Sequence, residues 1–243
     1  MRRTLEPAFL NAVANDPEVR PWIGGTGALD LGPLIADPAN IALETEHGGW
    51  LLVRHEAGIY ELHTLFRKAG RGAAYFQTAA GALDYVFAAT DAREIVTRIP
   101  GHNRGAAYAA ARCGFIERFT RQDAFIDPEG RAWDVSYQGL DVDGWMARSD
   151  AALEAGRRFH QAIEAARGGT SHPEDEAHDR AAGAAALMIR AGAARKGAWT
   201  YNRWARLAGY APITLVSETP LAIDVVDAVI GLREGEMEIL LCR

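Results

Sequence analysis

Cysteine is scarce in this chain of 243 residues, which holds only Cys113 and Cys242. Two cysteines cannot build a disulfide framework or a cysteine-rich zinc site, and they suit a reducing compartment. Positive charge is in the minority. Lys and Arg number 26 against 32 Asp and Glu, a formal net charge of -6, whereas nucleic-acid binders are usually basic. No stretch approaches the roughly 20 apolar residues that a spanning helix needs. No apolar run follows Met1-Arg2-Arg3, so a secretory signal is not expected either. Internal repeats and low-complexity tracts are also lacking. The composition is 49% hydrophobic and 24% charged, ordinary for a globular protein, and the length suffices to bury a core. The expectation is a soluble, cytoplasmic protein without a membrane or nucleic-acid partner.

The pattern divides the chain near residue 148. Residues 5–15 suggest a short helix that stops at Asp16-Pro17, because a residue before proline avoids the helical region. Residues 20–40 are rich in Gly and Pro and read as loop with about one helical turn. Three strands follow, at 41–46, 50–55 and 59–66, the first two joined by a hairpin signal at His47-Gly48-Gly49. Residues 72–89 have helical spacing, 93–99 read as a strand, and 104–112 as a helix with Asn103 as N-cap. Strands at 115–126 and 131–138 flank a turn at Asp127-Pro128-Glu129-Gly130. Behind the boundary, 149–167 and 177–196 read as helices around a polar loop at 168–176. Residues 199–212 read as a short helix, and 213–217, 222–230 and 236–241 as strands. The predicted fold class is α+β: a mixed, mainly antiparallel sheet flanked by helices over 1–148, plus a smaller α+β unit over 149–243.

Chemistry concentrates between Glu61 and Phe115. A strand ends at Leu65-Phe66, and Arg67-Lys68-Ala69-Gly70-Arg71-Gly72-Ala73-Ala74 leads into a helix. Small residues let a ligand approach the backbone. The free N–H groups and dipole of a helix N-terminus favour phosphate, and Arg67, Lys68 and Arg71 add positive charge. A diphosphate site fits this loop. It is neither a Walker A loop nor a dinucleotide fingerprint, since no Gly-Lys-Ser/Thr or Gly-x-Gly-x-x-Gly occurs. Read alone, the loop also suits a plain strand-to-helix turn.

This segment resembles the GCN5-related N-acetyltransferase (GNAT) superfamily, whose fingerprint is Arg or Gln, two residues, Gly, one residue, then Gly or Ala. Arg67-x-x-Gly70-x-Gly72 fits literally, and Arg71-Gly72-Ala73-Ala74-Tyr75-Phe76 fits loosely. Spacing favours the second register, because Asn103, then Ala106, then Gly114-Phe115 follow at the family's intervals. The resemblance covers roughly residues 1–140 and implies the family's fold and acetyl-CoA as co-substrate. It also implies that backbone groups at Leu65, Phe66 and Arg71 to Phe76 hold the pantetheine and pyrophosphate, with Asn103 beside the pantetheine arm.

The implied chemistry is acetyl transfer to a primary amine, on a small molecule or on a protein. A base must take a proton, and backbone N–H groups polarise the carbonyl. Glu61 and His63 sit two apart on one strand and share a face, so either has the position of the base; both also suit a solvated half-exposed strand. The family often carries a tyrosine acid seven residues after the asparagine, and here that position is Ala110. Tyr108 is turned from it by about 200° on a helix, which suits packing against core or cofactor better than acid catalysis. No metal is expected, because His47, His55 and His63 fall on different strands or loops without a carboxylate motif. Cys113 reads as a small buried residue, and His172 and His178 as solvated. Trp199, Tyr201, Trp204 and Tyr210 read as a small core or as an interface. A second reading keeps the fold without the activity. The chain also resembles acetyltransferase-like proteins of tailed bacteriophages, which would make it a virion component assembled, as a homo-oligomer or with a partner, through 149–243.

Overall fold

The computed structural model describes residues 1–24, 27–167, 175–210, 212–215, 228–233 and 236–241. The chain divides into two compact units, Met1–Leu83 with Ala92–Asp141, and Asp84–Asp91 with Val142–Arg243. Among the described residues, no helix is long and apolar enough to cross a membrane.

The first unit is built on strands β1 (Arg2–Thr4), β2 (Ile41–Thr45), β3 (Gly48–Glu56), β4 (Ile59–Phe66), β5 (Glu94–Pro100), β6 (Ile116–Ile126) and β7 (Ala132–Asp141). They form one sheet in the order β1-β2-β3-β4-β5-β7-β6. Every neighbouring pair is antiparallel except β4 and β5, which run parallel. Helices α1 (Ala8–Ala14) and α2 (Gly32–Ala36) cover one face. There Leu10, Val13, Val19 and Ile35 bury against Ala42, Leu51 and Leu65. Side chains alternate across a strand, so Glu61 and His63 share this face with Leu65, while Leu62, Thr64 and Phe66 point the other way. On that second face Trp50, Phe66 and Tyr75 pack edge to face or tilted, with centroids 4.8 to 5.9 Å apart. Tyr75 belongs to α3 (Ala73–Ala89), and α4 (Arg104–Arg112) follows β5. The β6–β7 turn is pinned by Asp127, which accepts from Arg131 N–H at 2.8 Å and Trp133 Nε1 at 2.9 Å.

The second unit contains α5 (Val142–Met146), α6 (Asp150–Arg167), α7 (Glu176–Arg190) and α8 (Ala194–Ala208). Three strands, β8 (Ile213–Leu215), β9 (Ala228–Arg233) and β10 (Glu236–Leu241), form a sheet in the order β8-β10-β9. Asp84 accepts from Trp145 Nε1 and Ser149 Oγ, both at 2.8 Å, and Ser149 Oγ in turn caps α6 at Ala152 N–H. Helices α6 and α7 approach at glycine. A Cβ added to Gly183 would stand 1.7 Å from the carbonyl oxygen of Ala152 and 2.5 Å from the nitrogen of Gly156. Backbone cannot move aside as a side chain can. Gly183→Ala therefore loses about 2 kcal/mol or more to overpacking, beyond the ~1 kcal/mol that alanine gains by helix propensity. Urea unfolding of the whole chain checks this; an equal or higher midpoint would contradict the close approach.

Several elements differ from their sequence expectation. β1 and α5 are short and have no periodic pattern to reveal them. Helix α7 stops at Arg190 rather than 196, because Gly192 takes a φ of +85°, and α8 starts correspondingly early. Parts of the expected strands at 213–217 and 222–230, and of the loop at 168–176, lie outside the described residues, as do His172 and Cys242.

Candidate active site

Strands β4 and β5 pair over only three positions, Ile59 with Glu94, Tyr60 with Ile95 and Glu61 with Val96. Beyond Glu61, β4 stays with β3 and β5 stays with β7. The two part, and their free inner edges become the lips of a cleft. One bond crosses the start of the gap, from Thr97 Oγ1 to the carbonyl of Leu62 at 3.2 Å. The cleft has a volume of about 640 Å³. Leu62, Thr64 and Phe66 line one lip, Thr97 to Pro100 the other. It opens on α3 and α4 through Gly72, Tyr75, Phe76, Asn103 and Tyr108, and on the α1 side through Val19, Trp22 and Ile23. Unpaired strand edges leave backbone N–H groups unsatisfied, and a ligand lying in the gap can take them.

The loop after β4 separates the two arginine registers. Arg67 Nε donates to Asp16 at 3.1 Å, with its guanidinium over the Phe9 ring. Gly70 is buried, and a Cβ there would meet His47 and Phe66 at 2.7 Å. Neither residue lines the cleft. Arg71, Gly72, Tyr75 and Phe76 do. Arg71 donates to the carbonyls of Phe66 at 3.1 Å and Glu18 at 2.9 Å, so it fixes the end of β4. Gly72 has a φ of +67°, and a Cβ there would meet nothing within 4 Å. Helix α3 begins at Ala73, so the N–H groups of Ala73, Ala74 and Tyr75 have no carbonyl a turn earlier in the helix. Open space, free donors and the positive end of a helix 17 residues long meet at one point. Leu65, by contrast, sends its side chain into the α1-side core and offers the gap only its backbone.

Asn103 accepts from Ala106 N–H at 3.1 Å and lines the cleft, so it is both helix cap and wall. Tyr108 is exposed, accepts from Arg112 at 3.3 Å and packs edge-on to Phe76. Ala110 is buried and also lines the cleft. The other phenol there is Tyr75; burial, with Cys113 adding to it, pushes its hydroxyl up to about 12 despite bonds to Trp50 and Thr64. It stays protonated at any physiological pH. Cys113 is only half-buried, and burial pushes its thiol up.

On the α1-side face, Glu61 is 4% exposed and both its oxygens are engaged. Arg98 Nε donates to Oε1 at 2.6 Å, and His55 Nε2 lies 2.8 Å from Oε2. His63 Nε2 stands 3.6 Å from Oε1. Burial pushes the His63 imidazolium below its usual pKa of 6.5; Glu61 opposes this, while Arg98 and His55 reinforce it. His63 is therefore neutral at pH 7. Glu61 and His63 do not line the cleft; Arg98, held by Glu61, does. The sequence had singled out Glu61 and His63. It gave no role to His55, Arg98, Trp22 or His102. His55 is two residues from Val53, the β3 partner of Glu61, and Arg98 two residues from Val96, the β5 partner, so both are found only once the strand register is known.

In the second unit His178 is buried rather than solvated, with Nε2 2.8 Å from the Tyr201 hydroxyl. Tyr201, Trp204 and Tyr210 pack around it, whereas Trp199 is 47% exposed. His160, His178 and Asp179 present ligand atoms within 4.8 Å of one another. The two rings are stacked and nearly parallel, at 5°. Imidazole lone pairs lie in the ring plane, so stacked rings cannot both aim at one ion.

No protein-family model matches the sequence, and no curated protein matches it. Solved structures do. One is spermidine N-acetyltransferase from Vibrio cholerae in complex with CoA and spermine, with a TM-score of 0.50 and 17% identity over 57% of this chain and 91% of that one. Another is a structure of mutant forms of the spermidine/spermine N-acetyltransferase SpeG from the same organism, with a TM-score of 0.50 and 19% identity over 61% of this chain and 96% of that one. At such identities the likeness is one of fold alone: the mixed, mainly antiparallel sheet flanked by helices is the fold of these N-acetyltransferases.

Proposed function

We propose that the first unit transfers an acetyl group from acetyl-CoA to the primary amine of a small molecule. The parted β4 and β5 carry this reading, with the α3 N-terminus on one side of the sheet and the Glu61 group on the other. The similarity in fold to an enzyme crystallised with CoA and spermine supports it. The N–H groups at the start of α3 would hold the pyrophosphate, with Arg71 and Gly72 shaping the approach. The backbone of Leu65 and Phe66, on the free edge of β4, would take the pantetheine, and Asn103 would flank it. The thioester carbonyl would then accept from backbone N–H groups in the gap.

The amine nitrogen forms a bond to the acetyl carbon while the carbon–sulfur bond breaks. The amine gives up a proton, and the sulfur leaves as thiolate. His63, neutral and half-exposed, accepts the proton through water, and Glu61 holds Arg98 and His55 in place around it. The departing thiolate can take its proton from solvent, so Ala110 in place of a tyrosine does not forbid turnover. Calorimetric titration of the whole chain with acetyl-CoA is expected to give a Kd in the micromolar range, about -8 kcal/mol. Binding without saturation would overturn the reading and favour the alternative, a non-catalytic protein that assembles through residues 149–243.

A further inference from the structure

The walls of the cleft on the α1 side carry information about the acceptor that the fold does not. Trp22, in the segment between α1 and α2, is 43% exposed and lines the cleft. Its ring stacks on His102 at 5.4 Å and 19°. His102 in turn lies 4.8 Å from Trp133 and 5.4 Å from Phe125. Trp22 is thus the accessible end of a braced aromatic group, with Val19, Ile23 and Pro100 as its apolar surroundings. The charges point the same way. Arg71, Arg98 and Arg104 line the cleft, and among its described lining residues none is Asp or Glu. The carboxylate next to it, Glu61, is buried and engaged by Arg98 and His55.

We propose that the acceptor is a monoamine carried on a planar aromatic group, and not a polyamine; this rests on the acetyltransferase reading above. A flat ring can stack on the open side of Trp22. Its single ammonium first gives one proton to bulk solvent, which leaves the neutral amine that attacks. The nitrogen then bonds to the acetyl carbon as the carbon–sulfur bond breaks, its proton passes to His63 through water, and the thiolate is protonated by solvent. The product is a neutral amide. A polyamine would keep its remaining ammonium groups in a cleft whose described walls carry no carboxylate to pair them.

The test uses the full chain with acetyl-CoA held well above its calorimetric Kd. Release of the CoA thiol is followed with 2-phenylethylamine and with spermidine. The expected kcat/KM for phenylethylamine exceeds that for spermidine at least tenfold. Trp22→Ala is expected to raise the phenylethylamine KM about tenfold, more than it lowers kcat, with the acetyl-CoA Kd unchanged. Trp22→Phe is expected to restore most of the KM. Equal or better turnover of spermidine, a KM indifferent to Trp22→Ala, or no turnover of phenylethylamine while acetyl-CoA binds would each overturn this inference and leave the cofactor site standing. Failure of acetyl-CoA to bind would overturn both.

Discussion

Gly72→Asp is expected to weaken acetyl-CoA binding at least a hundredfold while the protein stays folded. The position looks intolerant, because its φ is +67°. Asp is nevertheless among the few side chains that visit this region, at a strain of about 1 kcal/mol that a folded domain can bear. A Cβ would meet nothing within 4 Å, so no neighbour has to move. The residue stands immediately before α3, so an aspartate there places its carboxylate beside the start of the helix. Its carboxylate would accept from the first free N–H groups of the helix and complement the dipole. The carboxylate therefore fills the proposed phosphate site and reverses its charge. A hundredfold weaker Kd corresponds to about 2.7 kcal/mol. Calorimetry reads the affinity, and a thermal scan reads the fold. Arg67→Glu is the control: it breaks the ion pair with Asp16 away from the cleft and should leave the Kd nearly unchanged. Equal losses from both variants would mean that the pyrophosphate does not lie at the α3 N-terminus.

How far the sequence reaches is visible in that same loop. The preference for Arg71 over Arg67 is what the resemblance to the GNAT intervals implies, whereas helix α3 and its start near residue 73 follow from local spacing, because small residues and helix periodicity are local properties. So does the shared face of Glu61 and His63, which needs only the period of a strand. The partners of Glu61 are another matter. Arg98 reaches it through a parallel pairing three residues long, and parallel register is set by a crossover through α3 that no local pattern encodes. β1 is hidden for a related reason: Arg2–Thr4 has no apolar alternation, and it is a strand because β2 offers it an edge. Trp22 and His102 lie in stretches that read as loop, and only tertiary stacking makes a wall of them. His178 has a polar helix start around it in sequence, yet the hydroxyl of Tyr201, 23 residues away, lets it be buried. Local periodicity thus yields the elements; the non-local pairs that make a site out of them need the fold.

His63→Ala is expected to lower kcat about a hundredfold, the lower range for loss of a general base, with the acetyl-CoA Kd unchanged. Glu61→Gln separates its two roles. The amide can still accept from Arg98, and Arg98 is half-exposed, so the lost ion pair with it costs about 1 kcal/mol of stability after screening by solvent. The pH profile carries the sharper distinction. Burial already holds His63 below 6.5, and Glu61 acts against it. Activity that needs neutral His63 is present above that depressed pKa and falls as the pH drops through it. Removing the negative charge at Glu61 removes the one influence that favours imidazolium, so the acid limb of kcat/KM moves to lower pH in Glu61→Gln. Stability follows the same sign: unfolded His63 binds its proton near pH 6.5 and the folded protein resists it, so the fold weakens as pH falls below 6.5. In Glu61→Gln that loss is larger, because the folded state resists the proton more strongly. A limb that stays in place, together with full activity of His63→Ala, would remove the imidazole from the proton path and leave bulk water as the acceptor.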